Sequence, residues 1–253
     1  MNITFGIITY CENGANNFLI DAIKSIRDLN IPAYEIIIVG TAAHLNRHDI
    51  IGEDVIVLDF NERIRDKWIT KKKNMITDKA KYDNIVYQHD YFAYNTGWYE
   101  SWRDFGAFHV GMNRLINEPT GCLQNNVDTR YRDWSIFPHT GVVEKAINVC
   151  GFQGHECLIP YEETGFSKLQ YISGGWWIAK KHVMEEFRLN ESLCWGQGED
   201  VEWSYRVRNK FNFSINKEAS VRLLKYHHVS FSPMRQEVYV KMKDFLKQNN
   251  LYG

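Results

Sequence analysis

The chain has 253 residues and a formal net charge of -1, with 30 Lys and Arg against 31 Asp and Glu. That length suits one large α/β domain with a substantial core, and the charge balance excludes a general attraction to nucleic acid or to an anionic membrane. Five widely spaced cysteines without a Cys-x-x-Cys pair argue for reduced thiols in a cytoplasmic protein, and no apolar run approaches the roughly 20 residues of a spanning helix, so no integral membrane segment is expected.

In chain order, short apolar runs over residues 3–10, 35–39, 54–60 and 84–87 read as strands. Between the first two, Phe18, Leu19, Ala22, Ile23, Ile26 and Leu29 recur at helical spacing, and residues 65–81 supply a second, more polar helix. This alternation is the signature of βαβ units and a mainly parallel sheet flanked by helices. Lys71, Lys72 and Lys73 on the second helix read as a solvated face, because the charge balance offers no field for a nucleic-acid patch. From residue 95 to about 165 the pattern gives way to an aromatic, loop-rich region. A strand over 169–179, a helix over 199–210, an extended stretch over 213–228 and a closing amphipathic helix over 236–248 follow. No internal repeat or Pro-rich linker marks a domain boundary.

In an open α/β sheet, ligands collect beyond the carboxyl ends of the strands. Three such ends carry reactive side chains: Thr9-Tyr10-Cys11-Glu12-Asn13, Gln88-His89-Asp90 and Tyr226-His227-His228. A hard carboxylate from Asp90 and a late imidazole could converge on one divalent cation and leave positions open for diphosphate oxygens. Taken singly, an Asp after a strand caps a turn and a His pair packs or faces solvent. The most informative stretch is Trp195-Gly196-Gln197-Gly198-Glu199-Asp200-Val201-Glu202-Trp203, two carboxylates between a Gly-rich turn and an amphipathic helix. The glycines allow close approach of a ligand, and the helix N-terminus is expected to keep Asp200 in its basic form. Glu202 lies about 200° further round the helix from Asp200 and reads as structural. Gly196-Gln197-Gly198 is not a dinucleotide fingerprint, since Val201 stands where the third glycine belongs.

Together, the order of parts resembles the GT-A (Rossmann-like) fold of nucleotide-sugar glycosyltransferases, in particular the family 2-like inverting enzymes, over most of the chain. The matching elements are Thr9-Tyr10, Lys73-Asn74, Gln88-His89-Asp90, Tyr171-Ile172-Ser173-Gly174-Gly175-Trp176-Trp177, the Trp-Gly-x-Gly-Glu-Asp stretch and Tyr226-His227-His228-Val229. The Gly-Gly plus Trp-Gly-x-Gly-Glu-Asp pairing is also similar to β-1,4-galactosyltransferases. The resemblance implies a single GT-A domain over residues 1–253, with a nucleotide-binding half (1–95) and an acceptor-binding and catalytic half (96–253) that ends in the C-terminal helix.

For the site, the resemblance implies that Thr9, Tyr10, Glu12, Lys73, Asn74, Gln88, His89, Gly174 and Gly175 bind the donor. Asp90 with His228, or His227 in its place, would hold Mn²⁺ or Mg²⁺. Asp200 would take the proton of the acceptor hydroxyl, with Glu199 hydrogen-bonding sugar hydroxyls. Trp195, Trp176 and Trp134 would contact the acceptor, and the aromatic segment from Tyr91 to Trp102, with Asp133-Trp134, would line its side of the site or form a lid. The implied reaction is metal-dependent, inverting transfer of a hexose from a nucleotide diphosphate sugar, UDP first and GDP-mannose second, to a carbohydrate or other hydroxyl acceptor. The alternatives are a retaining transferase and a non-catalytic carbohydrate-binding module. Two departures bear on this: Gln88 replaces the first acid of the Asp-x-Asp element, and Val39 leads into Gly40-Thr41, where an acidic residue often reads the base.

Overall fold

The computed structural model describes residues 1–10, 17–41, 52–117, 129–136, 157–164, 170–225, 236–248 and 250. The first half builds four parallel strands, β1 (Ile3–Ile8), β2 (Tyr34–Gly40), β3 (Val55–Asp59) and β4 (Asn84–His89), joined in register in the order β3-β2-β1-β4. All six residues of β1 and of β4 are buried, so both faces of the sheet are covered. Helix α1 (Asn17–Arg27) covers one face, where Leu19, Ile23 and Ile26 pack with Ile3, Phe5 and Ile7. Helix α2 (Ile69–Lys79) covers the other, where Ile69 and Ile76 pack with Ile8, Ile37 and Tyr87. A Cβ on Gly6 would sit 2.4 Å from Ile76 Cγ2, so α2 approaches β1 as closely as it does only because that position is glycine.

The second half extends the same sheet. After the short β5 (Phe92–Tyr94) come α3 (Trp98–Asp104) and β6 (Val110–Asn117), both inside the stretch that the sequence read as loop. Helix α3 is short, and its two tryptophans, Trp98 and Trp102, stand four residues apart on one face and are both buried, which is what fixes it against the sheet. Strands β7 (Thr129–Arg130), β8 (Ser135–Ile136) and β9 (Cys157–Leu158) are two-residue pieces.

The single strand expected over 169–179 is two strands, β10 (Gln170–Tyr171) and β11 (Trp176–Lys180), that belong to different sheets. The break at 172–175 holds the Gly174-Gly175 turn. Helices α4 (Lys181–Glu186) and α5 (Glu199–Val207), strand β12 (Phe213–Leu223) and helix α6 (Gln236–Gln248) complete the described chain. The large sheet runs β3-β2-β1-β4-β11-β6-β12-β5 with β7 paired to β6, and β10-β8-β9 form a small sheet of their own. Strand β11 is antiparallel to both neighbours, whereas β12 returns parallel to β6. The α/β class, with a parallel first half and helices on both faces, is as the sequence predicted. No described helix is long and apolar enough to cross a membrane.

Candidate active site

A cavity of about 340 Å³ opens beyond the carboxyl end of β4. It is lined by His89 and Tyr91 from that strand end, Tyr131 and Arg132 after β7, Tyr171, Ser173, Gly174 and Gly175 between β10 and β11, and Trp195, Gly196, Gly198, Glu199, Asp200 and Val201 leading into α5. The Gly-Gly turn and the Gly-x-Gly-Glu-Asp helix start, some 25 residues apart in sequence, therefore face one space.

The helix start is built on backbone conformations that suit glycine. Gly198 precedes α5 at φ 72° and Gly196 lies at φ 79°, both left-handed. Asp200, partly buried, accepts the Gly174 amide through Oδ2 at 2.9 Å and its neighbour Val201's amide through Oδ1 at 2.9 Å. A Cβ on Gly174 would lie 2.9 Å from Asp200 Oδ2 and 3.3 Å from Glu199 Oε1, so the turn must be glycine for the carboxylates to close on it. Glu202 points elsewhere, in a bidentate pair with Arg206 of the next turn at 2.6 and 3.0 Å.

The electrostatics reverse one expectation. Burial pushes the Asp200 carboxyl above its ordinary value, against the pull of the Gly174 amide and the Lys73 ammonium. Glu199 is also pushed up, first by burial and then by the neighbouring Asp200 charge. Desolvation and two adjacent like charges outweigh the helix N-terminus here, and the result is a stronger base, not a weaker one.

Strand alternation decides the fate of several predicted residues. Along β4, Ile85 and Tyr87 face the α2 side and Val86 the α1 side, so His89 follows Tyr87 toward the cavity and Gln88 follows Val86 into the core. Gln88 is fully buried, donates to the Phe92 carbonyl at 3.3 Å and accepts the Tyr94 hydroxyl, which takes it away from the site. Trp176 is likewise fully buried among Trp98, Trp102 and Tyr94. Trp134 is 1% exposed with its indole N–H on the Glu163 carbonyl at 3.0 Å. Its neighbour Asp133 is fully buried, taking Arg130, the Tyr161 hydroxyl and the Trp134 amide. These two tryptophans and Asp133 are core, not acceptor contacts. Trp195 is the tryptophan that lines the cavity, 57% exposed, with Lys67 Nζ 5.3 Å from its ring centre.

The lysine run is not a solvated face. Lys72 is fully buried, paired with Glu62, donating to the Thr9 carbonyl at 2.9 Å and lying 3.8 Å from the centre of the Tyr10 ring. Lys73 is 1% exposed and donates to the Gly174 carbonyl at 2.6 Å, behind the Gly-Gly turn and outside the cavity lining. Asn74 is a clamp: its amide donates to the Leu189 carbonyl and Glu191 carboxylate, each at 2.9 Å, and accepts the Leu189 amide at 3.1 Å.

Asp90 stands between two lining residues, buried, and accepts the Thr9 hydroxyl at 2.7 Å, which ties the ends of β1 and β4 together. Among the described residues no three His, Cys, Asp or Glu side chains converge as a metal site. Glu12, His227 and His228 lie outside the described residues. Of the ligands that the resemblance implied for a cation, Asp90 lies among the described residues. Tyr131 and Arg132 were not anticipated, and Tyr171 and Ser173 were named only as part of the Gly-Gly motif, without a role. They sit on short, unpatterned segments of the chain, and only Arg132's positive φ of 45° marks an unusual backbone.

The fold resembles that of S. aureus TarS. The chain aligns with TarS 1-349 in complex with UDP-GlcNAc at a TM-score of 0.56 and 10% identity, covering 98% of this chain and 66% of that one. With TarS 1-349 in complex with UDP the TM-score is 0.50 at 10% identity, covering 99% and 66%. The chain thus spans just under two thirds of the length of those fragments. No protein-family model and no curated protein matches the sequence. At this identity the likeness establishes the fold alone, an α/β domain with a large central sheet flanked by helices.

Proposed function

We propose that this protein is an inverting glycosyltransferase that moves a hexose from a nucleotide diphosphate sugar, UDP-linked in the first instance and GDP-mannose next, to a hydroxyl acceptor such as a glycan. The observation that carries this reading is the cavity beyond β4 in which the Gly174-Gly175 turn and the Glu199-Asp200 helix start meet. Support comes from the shared fold with TarS, whose structures hold UDP-GlcNAc and UDP.

A sugar hydroxyl is far too weak an acid to ionise near neutral pH, so its proton must pass to a base as it attacks. Asp200 takes that proton. The bond from the acceptor oxygen to the anomeric carbon forms as the bond from that carbon to the β-phosphate oxygen breaks, with the electron pair leaving on the diphosphate. Arg132, on the cavity wall and close enough to pull Asp200's pKa down, supplies positive charge to the same space. Trp195 offers an indole face to a sugar ring at the mouth of the cavity.

Calorimetric titration of UDP and of GDP, each with Mn²⁺ and with EDTA, into the wild type, Asp90→Ala and Asp200→Asn tests the reading. Binding of one nucleotide is expected, weakened by Asp90→Ala and, where it depends on Mn²⁺, marking Asp90 as the carboxylate that meets the cation. Asp200→Asn should retain nucleotide binding and lose transfer by about 10²–10⁴-fold. Failure of both nucleotides to bind would remove the donor site. The exposed Trp195 also suits a carbohydrate-binding module, which sugar binding without transfer by the wild type would favour, whereas transfer undiminished in Asp200→Asn would favour a retaining transferase.

A further inference from the structure

Lys73 is a buried cation that the reaction just described does not use. Its ammonium donates to the Gly174 carbonyl at 2.6 Å and lies 4.3 Å from the centre of the Trp177 ring. Burying an ammonium against a neutral carbonyl and an indole is unfavourable unless negative charge is close at hand. The negative charges near Lys73 are Glu199 and Asp200, which raise its pKa against the burial that brings it down to about 8.

The glycine between them explains the arrangement. Gly174 turns its carbonyl to Lys73 and its amide to Asp200, and no side chain fits between it and the carboxylates. Lys72, next on the helix, is turned away to Glu62, Tyr10 and the Thr9 carbonyl. Among the described residues, the charged groups that act on Asp200 are Lys73 behind the turn, Arg132 on the cavity wall and Glu199 beside it, and His89 is a further titratable group on the same cavity lining.

We propose that Lys73 is a positioning residue: through the Gly174 peptide groups it fixes Asp200, and its charge holds the Glu199-Asp200 pair ionised from behind the cavity wall. The consequence for turnover rests on Asp200 being the base, whereas the coupling between Lys73 and the carboxylates does not. This differs from the donor contact that the Lys73-Asn74 resemblance implied.

The test is carbon-13 NMR titration of the Asp200 carboxyl in the wild type, Lys73→Met and Lys73→Arg. Asp200 should titrate at least about one pH unit higher in Lys73→Met and near the wild-type value in Lys73→Arg. An unchanged titration in Lys73→Met overturns the proposal. Should Lys73→Met fail to fold, the reciprocal measurement decides: the Lys73 Cε resonance should titrate lower in Asp200→Asn than in the wild type, and equal values overturn the proposal.

In turnover, Lys73→Met should lower kcat about 10- to 100-fold with the donor KM within about twofold. A raised KM at unchanged kcat would make Lys73 a donor-binding residue and overturn the positioning role. Absence of wild-type turnover with every tested donor would count against the transferase reading, while the two titrations would still decide the coupling.

Discussion

Gly174 and Gly198 carry the site's geometry at the level of single residues. A methyl group at Gly174 would press on Asp200 Oδ2 from 2.9 Å, and the carboxylate it displaces is the one proposed as base. Gly174→Ala should therefore cost more in kcat than in nucleotide affinity, which steady-state kinetics beside calorimetry would separate. Gly198 is strained for any L side chain at φ 72° but has open space around it. Gly198→Ala should thus cost about 1–2 kcal/mol of stability, read in denaturant, for purely conformational reasons.

The pH dependence follows from signs. Asp200 is needed without its proton and its folded pKa is raised by burial, so kcat/KM should fall as pH drops through a value above that of an ordinary Asp carboxyl. Lys73 loses its charge as pH rises through about 8, and an alkaline limb should begin there. Stability moves differently. The folded state holds the Asp200 and Glu199 protons more tightly than the unfolded chain, so stability falls as pH rises from their ordinary values through their raised ones. For Lys73 the unfolded chain holds the proton more tightly, so its penalty is complete below about pH 8 and is relieved between there and its ordinary value of 10.5. A kinetic pH profile beside urea melts across the same range checks both.

Helix α2 is the element on which the loop leading into Trp195 rests. Arg65 and Trp68 ahead of it donate to the Glu191 carbonyl at 2.8 and 2.7 Å, Thr70 donates to the Leu193 carbonyl at 2.7 Å, and Asn74 clamps Leu189 and Glu191. These bonds fix the segment that leads into Trp195 and the start of α5. Asn74→Ala would leave the buried Leu189 amide and carbonyl without these partners, at a cost of about 2–4 kcal/mol. It should also broaden or weaken sugar and nucleotide binding at Trp195. Tryptophan fluorescence on nucleotide titration would report the second effect, and a variant as stable and as responsive as the wild type would refute the role given to α2.

Little of this platform was legible. The spacing in residues 65–81 gave a polar helix, correctly, but Lys72 and Lys73 are buried, because they donate to the Thr9 and Gly174 carbonyls, partners far along the chain that no local pattern shows. Strand alternation was legible in principle at Gln88 and Trp176. Both were read by motif position instead, and both proved to face the core. Helix α3 escaped because it is short and its Trp98 and Trp102 serve long-range packing, and strand β6 because it is buried on both faces and so shows no clean alternation.

At the scale of the whole molecule, the order of chemical elements along the chain survives folding better than the details of any one element. The end of β4, the Gly-Gly turn and the Glu199-Asp200 helix start were each quoted from sequence, and the fold brings all three to one cavity at the carboxyl edge of the sheet. The topology explains this. Strand β11 inserts antiparallel beside β4, with Trp176 opposite Gln88, so the turn that precedes β11 is set beside the end of β4, and α5 packs back on the same face through Trp203 and Trp177. What sequence order could not supply was which side chains of that edge look into the cavity, since a one-residue change of face exchanges solvent for core.

The same topology makes a global prediction. The cavity draws on both halves of the chain, from β4 and from the segments around β7, β10, β11 and α5, so a ligand seated there ties together parts that must separate on unfolding. A nucleotide that binds only the folded state, at 100 times its dissociation constant, adds about 2.7 kcal/mol. For a chain of this size that corresponds to a rise in Tm of about 5–10 °C. The cognate nucleoside diphosphate, UDP by the reading above, should give that shift in a thermal melt, and ADP should give less. Asp200→Asn should keep the shift, because the base is not a nucleotide contact, whereas Gly175→Val, which would force a side chain against Phe92 at about 3 Å and deform the turn, should lose it. Equal shifts for every nucleotide would mean that the cavity senses phosphate alone, and no shift with any of them would place the donor elsewhere.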